Sequence, residues 1–296
     1  MRIYAIQTGT VQVKKSQPNG TQGRGYFRLL NTLLDQQWTE PLPILAWLIE
    51  HPEGNILIDT GETSKTSSPG YLPRWHPYYQ MGVRLFVEPS QEINVQLAKL
   101  GFLPEDIRWV IMTHLHTDHA GGLYHFQKSE FIISRDEIQN ASGFKGRING
   151  YLSNHWPDWF SPTIVDYENI PTSNFMRSHV LTRAGDVHII PTPGHTEGHQ
   201  SVILLEEDLS YFFAGDLTYS QQLLLNYTVD GVTHDPDQAR STLSQTLTYI
   251  AECPTVYLPS HDPESTARLH AQQRIVKRLE RVTAEPISHT NERITT

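Results

Sequence analysis

The 296-residue chain is long enough to bury a large core without disulfides or a structural metal. Its formal net charge of −9 and the lack of any dense Lys/Arg block argue against a nucleic-acid partner. The single cysteine, Cys253, excludes an internal disulfide and thiolate clusters, and no apolar run approaches the roughly 20 residues that span a bilayer, so no membrane partner is expected. Residues 1–10 carry no sustained apolar leader core, and the expected location is the cytoplasm.

In chain order, residues 2–13 alternate as a strand, and 44–49 and 55–61 are short apolar runs, the second ending in a turn. His51-Pro52-Glu53-Gly54 between those runs reads as a hairpin turn. Segment 63–88 is rich in Pro, Gly and Ser and carries Tyr71, Trp75, Tyr78, Tyr79 and Phe86. It reads as a long irregular excursion, expected to border the site or a subunit interface such as that of a homodimer. Helical periodicity follows over 92–100, with Gly101 as its stop. Residues 107–112 form an apolar strand running into Thr113-His114, and 131–134 form another. A second irregular region, 140–177, contains Trp156, Trp159, Phe160, Tyr167 and Phe175. Beyond it, 187–191, 200–205, 211–214 and 256–258 read as strands, and 236–251 and 263–281 as helices. Arg268, Arg274, Lys277, Arg278 and Arg281 have the spacing of a solvated helix face. With no repeat and no low-complexity linker, 1–296 is read as one domain.

Among the 15 histidines, one run stands out: His114-x-His116-x-Asp118-His119, directly after an apolar strand. Two histidines at i and i+2 in a turn can converge on one ion, and Asp118 and His119 can turn toward a second. Gly121 and Gly122 let the backbone fold tightly behind them. Three later candidates each stand just past a strand: His195 in Thr-Pro-Gly-His-Thr, Asp216 in Phe-Ala-Gly-Asp, and His261 in Leu-Pro-Ser-His. Strand ends are where sites gather in layered α/β folds. His199, close to His195, is read as structural.

In this order, with Asp59-Thr60-Gly61 near the start, these motifs resemble the metallo-β-lactamase superfamily across nearly the whole chain. The resemblance implies an α/β fold, an αββα sandwich of two mixed sheets with outer helices. It also implies two divalent transition-metal ions, with zinc the first choice and iron, cobalt or manganese as alternatives. By resemblance, His114, His116 and His195 hold one ion, Asp118, His119 and His261 the other, and Asp216 bridges both, while Asp59 orients ligands from behind. His116 stands where the oxygen-reducing di-iron branch typically has glutamate. Asp216 stands where many β-lactamases have cysteine. Tyr219, three residues after Asp216, is similar to the tyrosine that N-acyl homoserine lactonases use beside the metals.

That branch implies a lactone as the small-molecule substrate, opened by a hydroxide that the two ions share. Tyr219 would donate to the oxyanion, and Asp118 would hand a proton to the departing alkoxide. A glyoxalase-II-like thioesterase, an esterase or a phosphodiesterase could use the same site. A metal- or ligand-binding protein without turnover is the alternative of another class.

Overall fold

The computed structural model describes residues 1–23, 25–233 and 235–276. Among these described residues, twelve strands form two sheets. In the first, β4 (Val83–Phe86), β1 (Arg2–Val13), β2 (Leu42–Glu50), β3 (Asn55–Ile58), β5 (Ile107–Ile111), β6 (Glu130–Ser134) and β7 (Thr163–Val165) lie side by side in that order. In the second the order is β12 (Thr255–Pro259), β11 (Ser210–Gly215), β10 (Gln200–Leu205), β9 (Val187–Pro191) and β8 (His179–Val180). Both sheets are mixed. β3, β5, β6 and β7 run parallel, as do β11 and β12, while the remaining pairs are antiparallel.

The apolar alternation sorts each strand between two faces. On β2, Leu45, Trp47 and Ile49 point inward. There they share one core with Ile58 and Ile111 of the first sheet and Val187, Val202, Phe213 and Leu258 of the second. The Trp47 and Phe213 rings meet across the layer with centroids 5.6 Å apart. The intervening residues Ala46 and Leu48 face the other way, where Ile93 and Leu97 of the Ile93–Leu100 helix cover them. Likewise Ile203, Phe212 and Tyr257 of the second sheet pack outward on Leu243, Tyr249 and Ile250 of the Pro236–Glu252 helix. Strands buried on both faces read as continuous apolar runs. The result is the expected αββα sandwich.

The hairpin expectation holds, and several other local expectations shift. The 51–54 turn closes the β2–β3 hairpin with Gly54 N donating to His51 O at 3.0 Å. Segment 63–88 is not wholly irregular: it holds the Pro77–Met81 helix and β4, which pairs with β1 at the sheet edge. An edge strand with half-exposed side chains lacks the apolar run that betrays a central one. Region 140–177 likewise contains the Gly143–Ile148 helix and β7. The helix expected over 263–281 is only Ser265–His270, and Gln272 takes φ 47°, a left-handed value that ends it; 277–281 lie outside the described residues. Arg268 is not on a solvated face. It is 2% exposed, paired to Asp262 at 3.0 Å and bonded to Tyr257 O at 3.0 Å. Arg274 is exposed.

Candidate metal centre

The C-terminal ends of β3, β5, β9, β11 and β12 open toward one edge of the sandwich. Asp59, the 113–119 run, His195, Asp216 and His261 follow those ends. The bends after the strands are forced. Gly215 has φ +55°, and a Cβ there would meet His199 Nε2 at 2.7 Å and Thr113 Cβ at 2.8 Å. Behind the His run, a Cβ on Gly121 would stand 2.3 Å from Glu62 Oε1, so only glycine permits this close approach.

All seven candidate ligands come together. His114 Nε2 lies 3.1 Å from His116 Nδ1, which lies 3.0 Å from His195 Nε2. Asp118, His119 and His261 form a second group, and His114, His119 and Asp216 form a third that links the two. Asp216 divides its carboxylate. Oδ2 is 3.5 Å from His195 Nε2, while Oδ1 is 3.2 Å from His119 Nε2 and 3.3 Å from His261 Nε2. His261 Nε2 is also 3.4 Å from Asp118 Oδ2.

Partners behind the site choose which ring nitrogen faces it. His119 Nδ1 donates to Asp59 Oδ2 at 2.8 Å, His195 Nδ1 to Asp230 Oδ2 at 3.0 Å, and His261 Nδ1 to the Pro43 carbonyl at 2.8 Å. His114 Nδ1 donates to Thr113 Oγ1 at 3.1 Å, and that hydroxyl donates on to Asp59 Oδ2 at 2.8 Å. Each of these four rings therefore turns the lone pair of its Nε2 inward. Asp59 holds φ 58°, a backbone conformation that Asp tolerates better than most residues.

These residues fit metal ions. Lone pairs on His114 and His195 that face each other around His116 would repel without a cation between them. Two ligands of one tetrahedral zinc stand about 3.3 Å apart, close to the spacings here. His119 Nε2 and Asp216 Oδ1 are buried without a hydrogen bond although only 3.2 Å separates them, because both are aimed at a shared point beside them. The carboxylates of Asp59, Asp118, Asp216 and Asp230 face histidines, and among the described residues none of the four is paired with Lys or Arg. Four negative charges around neutral imidazoles match two divalent ions.

Left without metal cations, the cluster would draw protons onto some of its own rings. Burial and the neighbouring His195 push His116 down to about 3, so it stays neutral. Burial would also depress His261, but the Asp216 and Asp118 carboxylates overcome it and raise the ring to about 10. His119 is raised well above its ordinary value by Asp216 and Asp59 against the same burial. Burial opposes ionisation of Asp118, yet the His261 hydrogen bond and the His119 charge lower it to about 2.

Tyr219 reaches the same place. Its ring stacks on His261 with centroids 5.3 Å apart at 21°. It lines a cavity of ≈ 460 Å³ together with His116, Asp118, His195 and Asp216. Leu29, Val83, Leu85, Phe144 and Ile148 line other parts of that cavity. The aromatic excursion divides: Tyr78 and Tyr79 line the cavity, while Trp75 and Phe86 are exposed. From 140–177, Tyr151 packs on His116 with centroids 4.9 Å apart.

Two supports were not legible as functional. Asp230 follows no strand and belongs to no motif, and only the fold brings it to His195. His199, read as structural, holds Asp216 in place. Its Nδ1 donates to Thr192 O at 3.1 Å, and its Nε2 accepts from Asp216 N at 3.1 Å.

This arrangement agrees with the sequence comparison, in which the metallo-beta-lactamase superfamily profile matches residues 39–261. The chain belongs to that superfamily. Among similar curated proteins is N-acyl homoserine lactonase AiiA of Bacillus thuringiensis subsp. kurstaki, 26% identical over 267 residues, covering 89% of this chain and 94% of the relative. N-acyl homoserine lactonase AttM of Rhizobium radiobacter is 24% identical over 283 residues, covering 90% and 95%. A solved N-acyl homoserine lactone hydrolase with N-hexanoyl-L-homoserine at its catalytic metal centre superposes with TM-score 0.70 at 21% identity, over 92% of this chain and 98% of that one. AidC, a dizinc quorum-quenching lactonase, superposes with TM-score 0.59 at 18% identity, over 89% and 88%. At these identities the structural likeness speaks for the fold.

Proposed function

We propose that this superfamily member is a binuclear metal-dependent lactonase that opens N-acyl homoserine lactones or similar lactones. The observation that carries the reading is Tyr219, which lines one cavity with four of the seven candidate ligands, His116, Asp118, His195 and Asp216, and stacks on a fifth, His261. Similarity to the AiiA and AttM lactonases over most of both chains supports it. Leu29, Val83, Leu85, Phe144 and Ile148 give the cavity an apolar wall suited to an acyl chain.

His114, His116 and His195 would hold one ion, and Asp118, His119 and His261 the other, with Asp216 shared. Such ions supply an acidified water at neutral pH and Lewis-acid polarisation of the lactone carbonyl. The chain's own residues do the rest. Tyr219 donates a hydrogen bond to the oxygen that gains charge as the carbonyl carbon becomes tetrahedral. Asp118, the most exposed ligand carboxylate with its side chain 19% accessible, takes the proton released by the attacking water and returns it to the ring oxygen as the C–O bond breaks. Burial of the neighbouring groups excludes bulk water and keeps these interactions strong.

Zinc is the first choice because His and Asp donors suit it, and iron, cobalt or manganese fit the same ligands. The reading treats the chain as one hydrolase domain, supported by the core that both sheets share. It places the enzyme in the cytoplasm, supported by the lone Cys253. It includes a homodimer, supported by the exposed side chains of Phe27, Leu30, Leu34 and Phe144. The deciding experiment is a hydrolysis screen of the metal-loaded enzyme on lactones, thioesters and phosphodiesters. Turnover of lactones well above the other classes is expected, and preference for a thioester or phosphodiester would reject the assignment.

A further inference from the structure

Gln17 belongs to no motif. It lies on the short Ser16–Asn19 helical turn that follows β1, and it is 2% exposed. Its backbone carbonyl accepts from Gly231 N at 2.6 Å, which ties this turn to the loop that carries Asp230. Its side chain enters the cavity wall between two phenols. Gln17 Nε2 donates to Tyr219 Oη at 2.7 Å and to Tyr78 Oη at 3.0 Å, and Tyr78 Oη donates back to Gln17 Oε1 at 3.2 Å.

This wiring sets where the two phenolic protons go. A phenol oxygen that accepts an amide N–H must send its own proton elsewhere. Tyr78 sends its proton back to Gln17. Among the described residues, no side chain or carbonyl accepts the proton of Tyr219, whose ring is clamped on His261 at 5.3 Å. That proton is left to face the cavity shared with His116, Asp118, His195 and Asp216.

We propose that Gln17 is a positioning residue for the reaction: its amide saturates the acceptor side of Tyr219 and so makes Tyr219 a one-way donor aimed at the substrate oxygen. The accepted hydrogen bond also polarises the phenol, which strengthens the bond that it donates. Tyr78 completes the device by locking the amide against rotation. The proposal rests on the lactonase reading only for the identity of the oxygen that receives the proton.

The test is a double-mutant cycle on the metal-loaded enzyme with the best lactone substrate. Gln17→Leu is expected to lower kcat about 10-fold with KM little changed and both ions retained. On a Tyr219→Phe background the same substitution is expected to lower kcat no further, because the hydroxyl through which it acts is gone. Gln17→Glu, assayed at alkaline pH where the introduced carboxyl is ionised, reverses the polarity: it accepts the Tyr219 proton and brings kcat down to the Tyr219→Phe level. Equal losses from Gln17→Leu in both backgrounds, the mark of a merely structural role, would overturn the proposal. So would a wild-type rate for Gln17→Glu. If Gln17→Leu fails to fold, Gln17→Met keeps the volume and enters the same cycle. A wild-type enzyme inert to every lactone rejects the functional reading alone. The placement is then judged without turnover, by NMR of protein with labelled tyrosine ring carbons. There Gln17→Met must move the Tyr219 and Tyr78 Cζ resonances, and unmoved resonances would overturn the wiring.

Discussion

Asp230→Asn isolates the contribution of a residue that touches no ion. The carboxylate of Asp230 accepts His195 Nδ1–H at 3.0 Å through Oδ2, and Val232 N at 2.8 Å and Thr233 N at 2.6 Å through Oδ1. An asparagine keeps the shape, and its oxygen can still serve the two backbone N–H groups. Its NH2 then meets His195 Nδ1–H, donor against donor. His195 can escape only by moving its proton to Nε2, which is the nitrogen turned toward His116 at 3.0 Å. A ring protonated there is no ligand. A hydrogen bond involving a charged group is worth about 1.5–3 kcal/mol, roughly a 10- to 150-fold change in an equilibrium constant. Loss of an outer partner typically costs about 10- to 100-fold in metal affinity. Both magnitudes predict that Asp230→Asn weakens the proposed metal site of His114, His116 and His195 by about 10- to 100-fold and leaves the proposed site of Asp118, His119 and His261 much less affected. Competition with a chromophoric chelator would resolve the two steps. Equal, wild-type affinity for both ions in the variant would refute the tautomer argument. Weakening of both sites together, with a lower melting temperature, would instead mark Asp230 as a support of the whole loop.

Three further outcomes are expected. Elemental analysis of the purified protein should approach two transition-metal ions per chain, and a fully active sample with one ion would remove the binuclear assignment. The metal-stripped protein should be most stable between two titrations. His261 rises from 6.5 to about 10 in the fold, so its contribution is complete below pH 6.5 and is lost as pH rises through about 10. Asp118 falls from 3.8 to about 2, so its contribution is present above pH 3.8 and is lost as pH falls through about 2. Metal binding must displace the protons on His261 and His119, so zinc affinity should climb with pH. A stripped protein whose melting temperature keeps rising well above pH 6.5 would contradict this charge assignment. Finally, Gly215→Ala puts a Cβ 2.7 Å from His199 Nε2 at φ +55°. It should destabilise the fold by about 2–4 kcal/mol and displace Asp216, read as a lower denaturation midpoint and lower metal content.

Much of this protein was legible in one dimension because its chemistry is local. The 114–119 run carries four candidate ligands in six positions, and the glycines behind it mark the tight approach that the structure requires at Gly121. The buried strands declare themselves as continuous apolar runs because both their faces are covered, and His195, Asp216 and His261 each stand just past such a run. The edge strand β4, half exposed, carried no such pattern. Arg268 was equally opaque: its helical spacing suits a solvated face, and only the packing against Tyr257 and Asp262 buries it. Apart from Asp59, which the family resemblance marked, the partners that aim the ligands were beyond any reading of spacing, and even for Asp59 the particular ring it meets was not legible. Asp59 meets His119 across 60 residues of chain, Asp230 meets His195 across 35, Gln17 meets Tyr219 across 202 and the Pro43 carbonyl meets His261 across 218. A hydrogen bond needs its atoms placed to within a few tenths of an ångström. A residue's type declares what it can bind, but that precision arises only when two sheets pack face to face and bring distant strand ends to one edge.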